Sequence, residues 1–272
     1  MTDAALPSSP SLAVLIGAAF RDWLSHQARF WKLTVPAALL LALLPYAVLL
    51  GWLPQASPWV QSGVRAFIDV LVLYQWFKHA LYDDWRVRRS LLLQQKKFPW
   101  RAFLSLGFVA FWALHFALSY GILSAWRDLV SGGMQAPLAL QLAIVPLKEL
   151  GLAAAFGSFM LFLPARVAHL GWTPATAFRR AAGIRLQLIA VTVLWALLSL
   201  VLLWSVDLLT VYVESRLALV QSSERAMLLV DFEGGLVGVA VDYLAYYLLA
   251  YIVARLFVAW TGWTPEPLPA AS

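Results

Sequence analysis

Six stretches of this chain are apolar and long enough to cross a lipid bilayer, which takes ~20 residues of helix. They lie at about 33–54, 59–81, 102–126, 137–163, 186–212 and 234–258 of the 272 residues. In lipid, backbone N–H and C=O groups must bond within their own segment or within a closed barrel, so runs of this length fold as helices. The expected fold is therefore all-α, an integral membrane bundle of six transmembrane helices. Composition agrees. The chain is 62% hydrophobic and 12% charged, where a soluble domain is about half apolar and a quarter charged. No long polar segment interrupts the runs, so any chemistry takes place in or at the bilayer.

Residues 1–9 are small and polar and are expected to be disordered. Ser9 and Pro10 make a helix start, a capping hydroxyl followed by proline at the first helical position. An amphipathic helix over 10–31 follows, with Leu12, Ile16, Ala19, Phe20, Trp23 and Phe30 or Trp31 near one face and Arg21, Asp22, His26 and Arg29 elsewhere. Such a helix lies in the membrane interface or packs on the chain's own spans. Similar cytoplasmic segments are expected before spans three and five. Residues 10–260 read as one membrane domain and 261–272 as a flexible tail. The first 30 residues lack the layout of a cleaved signal peptide.

Orientation follows from the basic residues. Arg21, Arg29 and Lys32 precede span one; Lys78, Arg86, Arg88, Arg89, Lys96, Lys97 and Arg101 lie between spans two and three; Arg166, Arg179, Arg180 and Arg185 lie between four and five. The other side holds Arg127, Arg216 and Arg225 among Asp128, Glu214, Glu224, Asp231 and Glu233. Both termini are expected in the cytoplasm. The net charge of +6 is thus a topological signal, suited to anionic lipid headgroups and not to nucleic acid. Arginine outnumbers lysine three to one and alanine and leucine abound, which points to a GC-rich bacterial genome and its cytoplasmic membrane.

Ala19-Phe20-Arg21 before span one and Ala177-Phe178-Arg179 before span five suggest parallel repeats, each a cytoplasmic segment leading into a two-span hairpin. The helix leading into span one, the stretch Leu163-Pro164-Ala165-Arg166, and Trp172-Thr173-Pro174-Ala175-Thr176-Ala177-Phe178 resemble a group of bacterial inner-membrane proteins. That group is related to the membrane domain of glycerophosphodiester phosphodiesterases. The resemblance implies a six-helix membrane domain without catalytic residues of its own. The soluble phosphodiesterase domain has no counterpart in this sequence, so that activity is not carried over.

The fourth run carries Pro146-Leu147-Lys148-Glu149-Leu150-Gly151 near its middle. Proline lacks an N–H and clashes with the preceding turn, so a kink or break is expected there. Neighbours on a helix point ~100° apart, so Lys148 and Glu149 are each expected to seek a partner on another helix, or water. Asp69, His115 and Asp242 also fall near mid-membrane, with Arg65 and Asp207 nearer the outer face. Arg65 and Asp69, four apart, can pair directly. Lone charges at mid-bilayer cost several kcal/mol each, so these groups should meet in one buried cluster biased outward. Lys148 is expected to pair with Asp69 or Asp242, leaving Glu149 as the titrating or cation-binding group. The cluster is either a ligand site at a broken helix or a set of ion pairs that fixes helix register. Its acidic excess suits a proton or cation. His115 is a candidate relay or a histidine bonded to a carbonyl.

Tyr243, Tyr247 and Tyr251 form a stripe in span six, with Tyr246 four residues beyond Asp242. Packing is the favoured reading, and a ligand-lining role the other. Gly151, Ala154, Ala155 and Ser158 form a small-residue face suited to close helix approach. The absence of cysteine excludes thiol catalysis and disulfides. No phosphate-binding loop or His-Glu-x-x-His motif occurs, and the four histidines are scattered, so no cofactor or metal is expected. The expectation is a non-enzymatic membrane protein binding or moving a small cation, proton or lipid. The alternative is a structural component whose basic segments dock a protein partner. The ligand-binding candidates are Lys148, Glu149, Asp69, Asp242, His115, Arg65 and Tyr246.

Overall fold

A computed structural model describes residues 10–49, 58–82, 138–168, 170–219 and 224–264, with positions 114, 117, 118, 121 and 122. Every regular element among the described residues is a helix. In order they are α1 (Leu12–Ser25), α2 (Gln27–Leu49), α3 (Pro58–Leu81), α4 (Leu138–Gly157), α5 (Phe162–Val167), α6 (Pro174–Arg180), α7 (Arg185–Leu219) and α8 (Glu224–Thr261). Gln27–Leu44, Arg185–Arg216 and Phe232–Thr261 are long and apolar enough to cross a membrane. The described residues are thus all-helical, and these three helices suggest a membrane protein. Most of the predicted third span, the basic segment before it, residues 1–9 and the end of the tail lie outside the described residues, as does His115.

The centre of the bundle is α8, which packs against α1, α2, α3, α5 and, most extensively, α7. Ala245, Ala250 and Ala254 on α8 are fully buried and let neighbours come close. Tyr243, Tyr247 and Phe257 fill the space between them. α4, which carries Lys148 and Glu149, packs chiefly on α7.

Several local expectations change. The amphipathic helix does not run unbroken from 10 to 31. It starts at Leu12, with Ser11 at the cap position making no side-chain capping bond, and ends at His26. Ser25 Oγ donates to the Asp22 carbonyl at 2.8 Å and His26 Nδ1 lies 2.9 Å from the same oxygen. Side chains that bond the local backbone compete with the helix ladder, and α2 starts afresh one residue later. The buried stripe of α1 is Leu15, Ala19 and Asp22, so Asp22 belongs to the packed face and not to the polar one. It lies against α8.

The fourth run breaks elsewhere than predicted. α4 is helical through Pro146 and ends at Gly157. Tight bonds follow, Phe159 N–H to Phe156 O at 2.9 Å and Phe162 N–H to Phe159 O at 2.8 Å. These i→i−3 links turn the chain into α5. At Gly157 the backbone of α7 comes very close: a Cβ there would fall 2.8 Å from Ile189 Cα. Thr192 Oγ1 crosses the same contact and donates to Ala153 O at 2.8 Å. Gly151, by contrast, is exposed with open space around it, so it is not part of a close-approach face.

Thr173 and Pro174 start α6 with a capped first turn. Thr173 Oγ1 accepts from Thr176 N–H at 3.2 Å, with Pro174 at the first turn. α6 is then tied to the far end of α8 by Trp260 Nε1 donating to Arg180 O at 2.8 Å. α3 is tied to α5 by the Tyr82 hydroxyl, 3.5 Å from Val167 O. One end of the bundle thus gathers Lys78, Arg166, Arg179 and Arg180. The opposite end gathers Arg65, Asp207 and Glu214 around one cavity.

Candidate functional site

Two polar clusters sit on the seam between α3 and α8, one toward each end. The first follows from helix spacing. Arg65 and Asp69 are four apart on α3, so they share a face, with Arg65 Nε 3.8 Å from Asp69 Oδ2. Asp242 faces them from α8, and Arg65 Nη2 donates to its Oδ2 at 3.3 Å. Both aspartates are buried, whereas the Arg65 side chain is 46% exposed. One guanidinium thus bridges two inward carboxylates and opens on its other side to a cavity of about 490 Å³. Asp207, Thr210 and Glu214 line that cavity from α7, and Gly234, Gly235 and Gly238 from α8. The three glycines withhold side chains from the space.

The tyrosines complete this cluster. Tyr243 lies beside Asp69, and Tyr246 within electrostatic range of both aspartates. The Tyr243 hydroxyl is close enough to the Asp69 carboxylate to interact with it directly. The Tyr246 ring packs on Trp195 at 5.4 Å.

Lys148 and Glu149 depart from expectation. They pair with each other, Nζ to Oε1 at 2.6 Å. The 100° divergence holds at Cβ, but both side chains are long and flexible enough to curl together. The cation that bridges Asp69 and Asp242 is Arg65, and not Lys148. Glu149 still lies close enough to Asp242 for the two carboxylates to repel. Of the predicted residues, the fold brings together Arg65, Asp69, Asp242 and Tyr246, with the Lys148–Glu149 pair alongside.

The second cluster was not anticipated. Asp22 and His26 come from the end of α1, His79 from the end of α3 and Tyr247 from α8. Phe30, Trp76 and Tyr247 form an aromatic knot, with Trp76 and Tyr247 centroids 4.9 Å apart and Phe30 stacked on Trp76 at 5.7 Å. The knot fixes the Tyr247 hydroxyl, which donates to Asp22 Oδ2. His79 Nε2 stands 3.4 Å from Asp22 Oδ2 and His26 Nδ1 3.4 Å from Oδ1. The two imidazoles meet edge to face at 4.8 Å. Burial pushes the Asp22 carboxyl up, but His79, Tyr247 and His26 together outweigh it and hold the group below its ordinary value. Sequence offered one cue, Asp22 and His26 four apart on a helix. Their distance from His79 in the chain hid the rest.

No family model, curated protein or solved structure matches the chain.

Proposed function

We propose that this is a six-span, non-enzymatic protein of the bacterial cytoplasmic membrane, with both termini in the cytoplasm, that binds or moves a proton or small cation at Arg65, Asp69 and Asp242. One observation carries the reading: two buried aspartates share a single arginine at the edge of a cavity whose other ionisable lining groups are Asp207 and Glu214. Counting Arg65 and Lys148 against Asp69, Asp242 and Glu149 leaves one negative charge in excess before Asp207 and Glu214 are added. Charges held at membrane depth are costly, and they are kept where they serve a pathway. Lys78, Arg166, Arg179 and Arg180 gather at the opposite end, where they would meet anionic headgroups of the cytoplasmic leaflet.

A second reading takes the Arg65–Asp242 contact as a staple that fixes α3 against α8, in a component that docks a protein partner through its basic face. Thermal unfolding of the purified protein separates the two. Wild type, Asp69→Asn and Asp242→Asn are compared across pH and a panel of monovalent cations, with chelator present throughout. The binding reading expects a concentration-dependent rise in wild-type Tm that Asp69→Asn abolishes. A wild-type Tm indifferent to pH and cations, with both variants strongly destabilised, supports the staple.

A further inference from the structure

We infer that Asp22, His26 and His79 form a binding site for a divalent transition ion of the zinc class at the junction of α1 and α2. One donor atom from each residue lies within 4.8 Å of those of the other two. His79 Nε2 stands 3.4 Å from Asp22 Oδ2, beyond the ~2.7–3.2 Å of a good N–H···O bond. That value matches the edge of a tetrahedron. Ligands at ~2.0–2.1 Å from a tetrahedral ion stand roughly 3.4 Å from one another. Two imidazoles and one carboxylate are a donor set suited to zinc.

The surroundings fit a metal site in two further respects. Asp22 is held from behind by the Tyr247 hydroxyl, the kind of outer contact that orients a ligating carboxylate. The Asp22 carbonyl lies 2.9 Å from His26 Nδ1. A His26 that keeps this bond presents Nε2 to the ion, and the carbonyl then fixes the ring. Ser25 Oγ also lies 3.0 Å from Nδ1. Asp22 and His79 are buried while the His26 side chain is 38% exposed. Metal and a fourth ligand, water, therefore enter from the His26 side. The donors come from α1 and its C-terminal cap and from α3, so a bound ion pins the first helix to the span pair.

The test uses full-length protein in detergent, purified without a polyhistidine tag and stripped with chelator. Zinc is titrated against a chromophoric chelator, and cobalt is added as a spectroscopic probe. The expected result is one zinc per chain and a cobalt spectrum of tetrahedral type. Asp22→Asn and His26→Ala should each weaken binding by at least ~10-fold, and Tyr247→Phe by ~10-fold through the carboxylate it orients. Absence of stoichiometric binding in the wild type overturns the site. So does binding that survives Asp22→Asn and His26→Ala. Should a variant fail to fold, the wild-type stoichiometry and cobalt spectrum decide.

Discussion

Arg65 Nη2 lies 3.3 Å from Asp242 Oδ2, across the seam between α3 and α8. The same side chain reaches back to Asp69 on its own helix. Removing the cation leaves two buried carboxylates facing each other. Arg65→Gln should therefore destabilise by about 1–3 kcal/mol, less than the ~3–5 kcal/mol of a fully buried pair because half of the arginine is screened by solvent. Adding Asp242→Asn to Arg65→Gln should recover part of the loss. Denaturant unfolding in detergent, run as a double-mutant cycle, measures it. Additive effects would mean that the two residues do not interact.

Tyr247 and Asp22 make the corresponding link at the other end. Tyr247→Phe keeps the ring in its knot with Trp76 and Phe30 and removes only the donor. A buried carboxylate loses a hydrogen bond and keeps its desolvation cost, so about 1–3 kcal/mol should be lost. Thermal unfolding of metal-free protein is the measurement. A Tm unchanged within error would show that the bond contributes nothing.

The helices were legible because apolar run length is a strong signal. α3 was expected over 59–81 and is Pro58–Leu81, and the ends of α7 and α8 fall outside their apolar cores. Arg65 with Asp69 was legible because both lie on one helix. What crossed between helices was not. The sequence contains two candidate cations for Asp242, and only packing chooses Arg65 over Lys148. Asp22 illustrates a different failure. Its charge assigns it to the polar face of α1, yet Leu15, Ala19 and Asp22 form the buried stripe. A tyrosine 225 residues away satisfies it, and no local pattern records that. The break at Gly157 was masked by Pro146, which a membrane helix tolerates.

Gly151 and Gly157 should respond oppositely to alanine. A Cβ at Gly157 meets the Ile189 backbone and Thr192, so α4 and α7 must separate or shift. Gly157→Ala is expected to cost about 1–3 kcal/mol, as overpacking does. Gly151 has nothing within 4 Å, and alanine is the better helix former by up to ~1 kcal/mol. Gly151→Ala should be neutral or slightly stabilising. Paired unfolding curves check both. A large loss at Gly151 would mean that a close contact covers it.

Tyr82, one residue beyond α3, sets an alkaline limit. Burial, with a smaller contribution from Tyr74, pushes its hydroxyl up from 10.0 to about 12. The Tyr82 hydroxyl also faces the Val167 carbonyl, which favours the protonated form. The folded state thus holds the proton more tightly than the unfolded chain does. The stabilisation is complete below the unfolded value of 10.0 and is lost as pH rises through about 12. A proton held about a hundredfold more tightly is worth about 2–3 kcal/mol. Wild type should therefore lose stability over that alkaline window more steeply than Tyr82→Phe, which has no proton to release. Unfolding midpoints taken at intervals between the two pH values test this. Parallel profiles would show that the hydroxyl titrates as freely in the folded protein as in the unfolded chain.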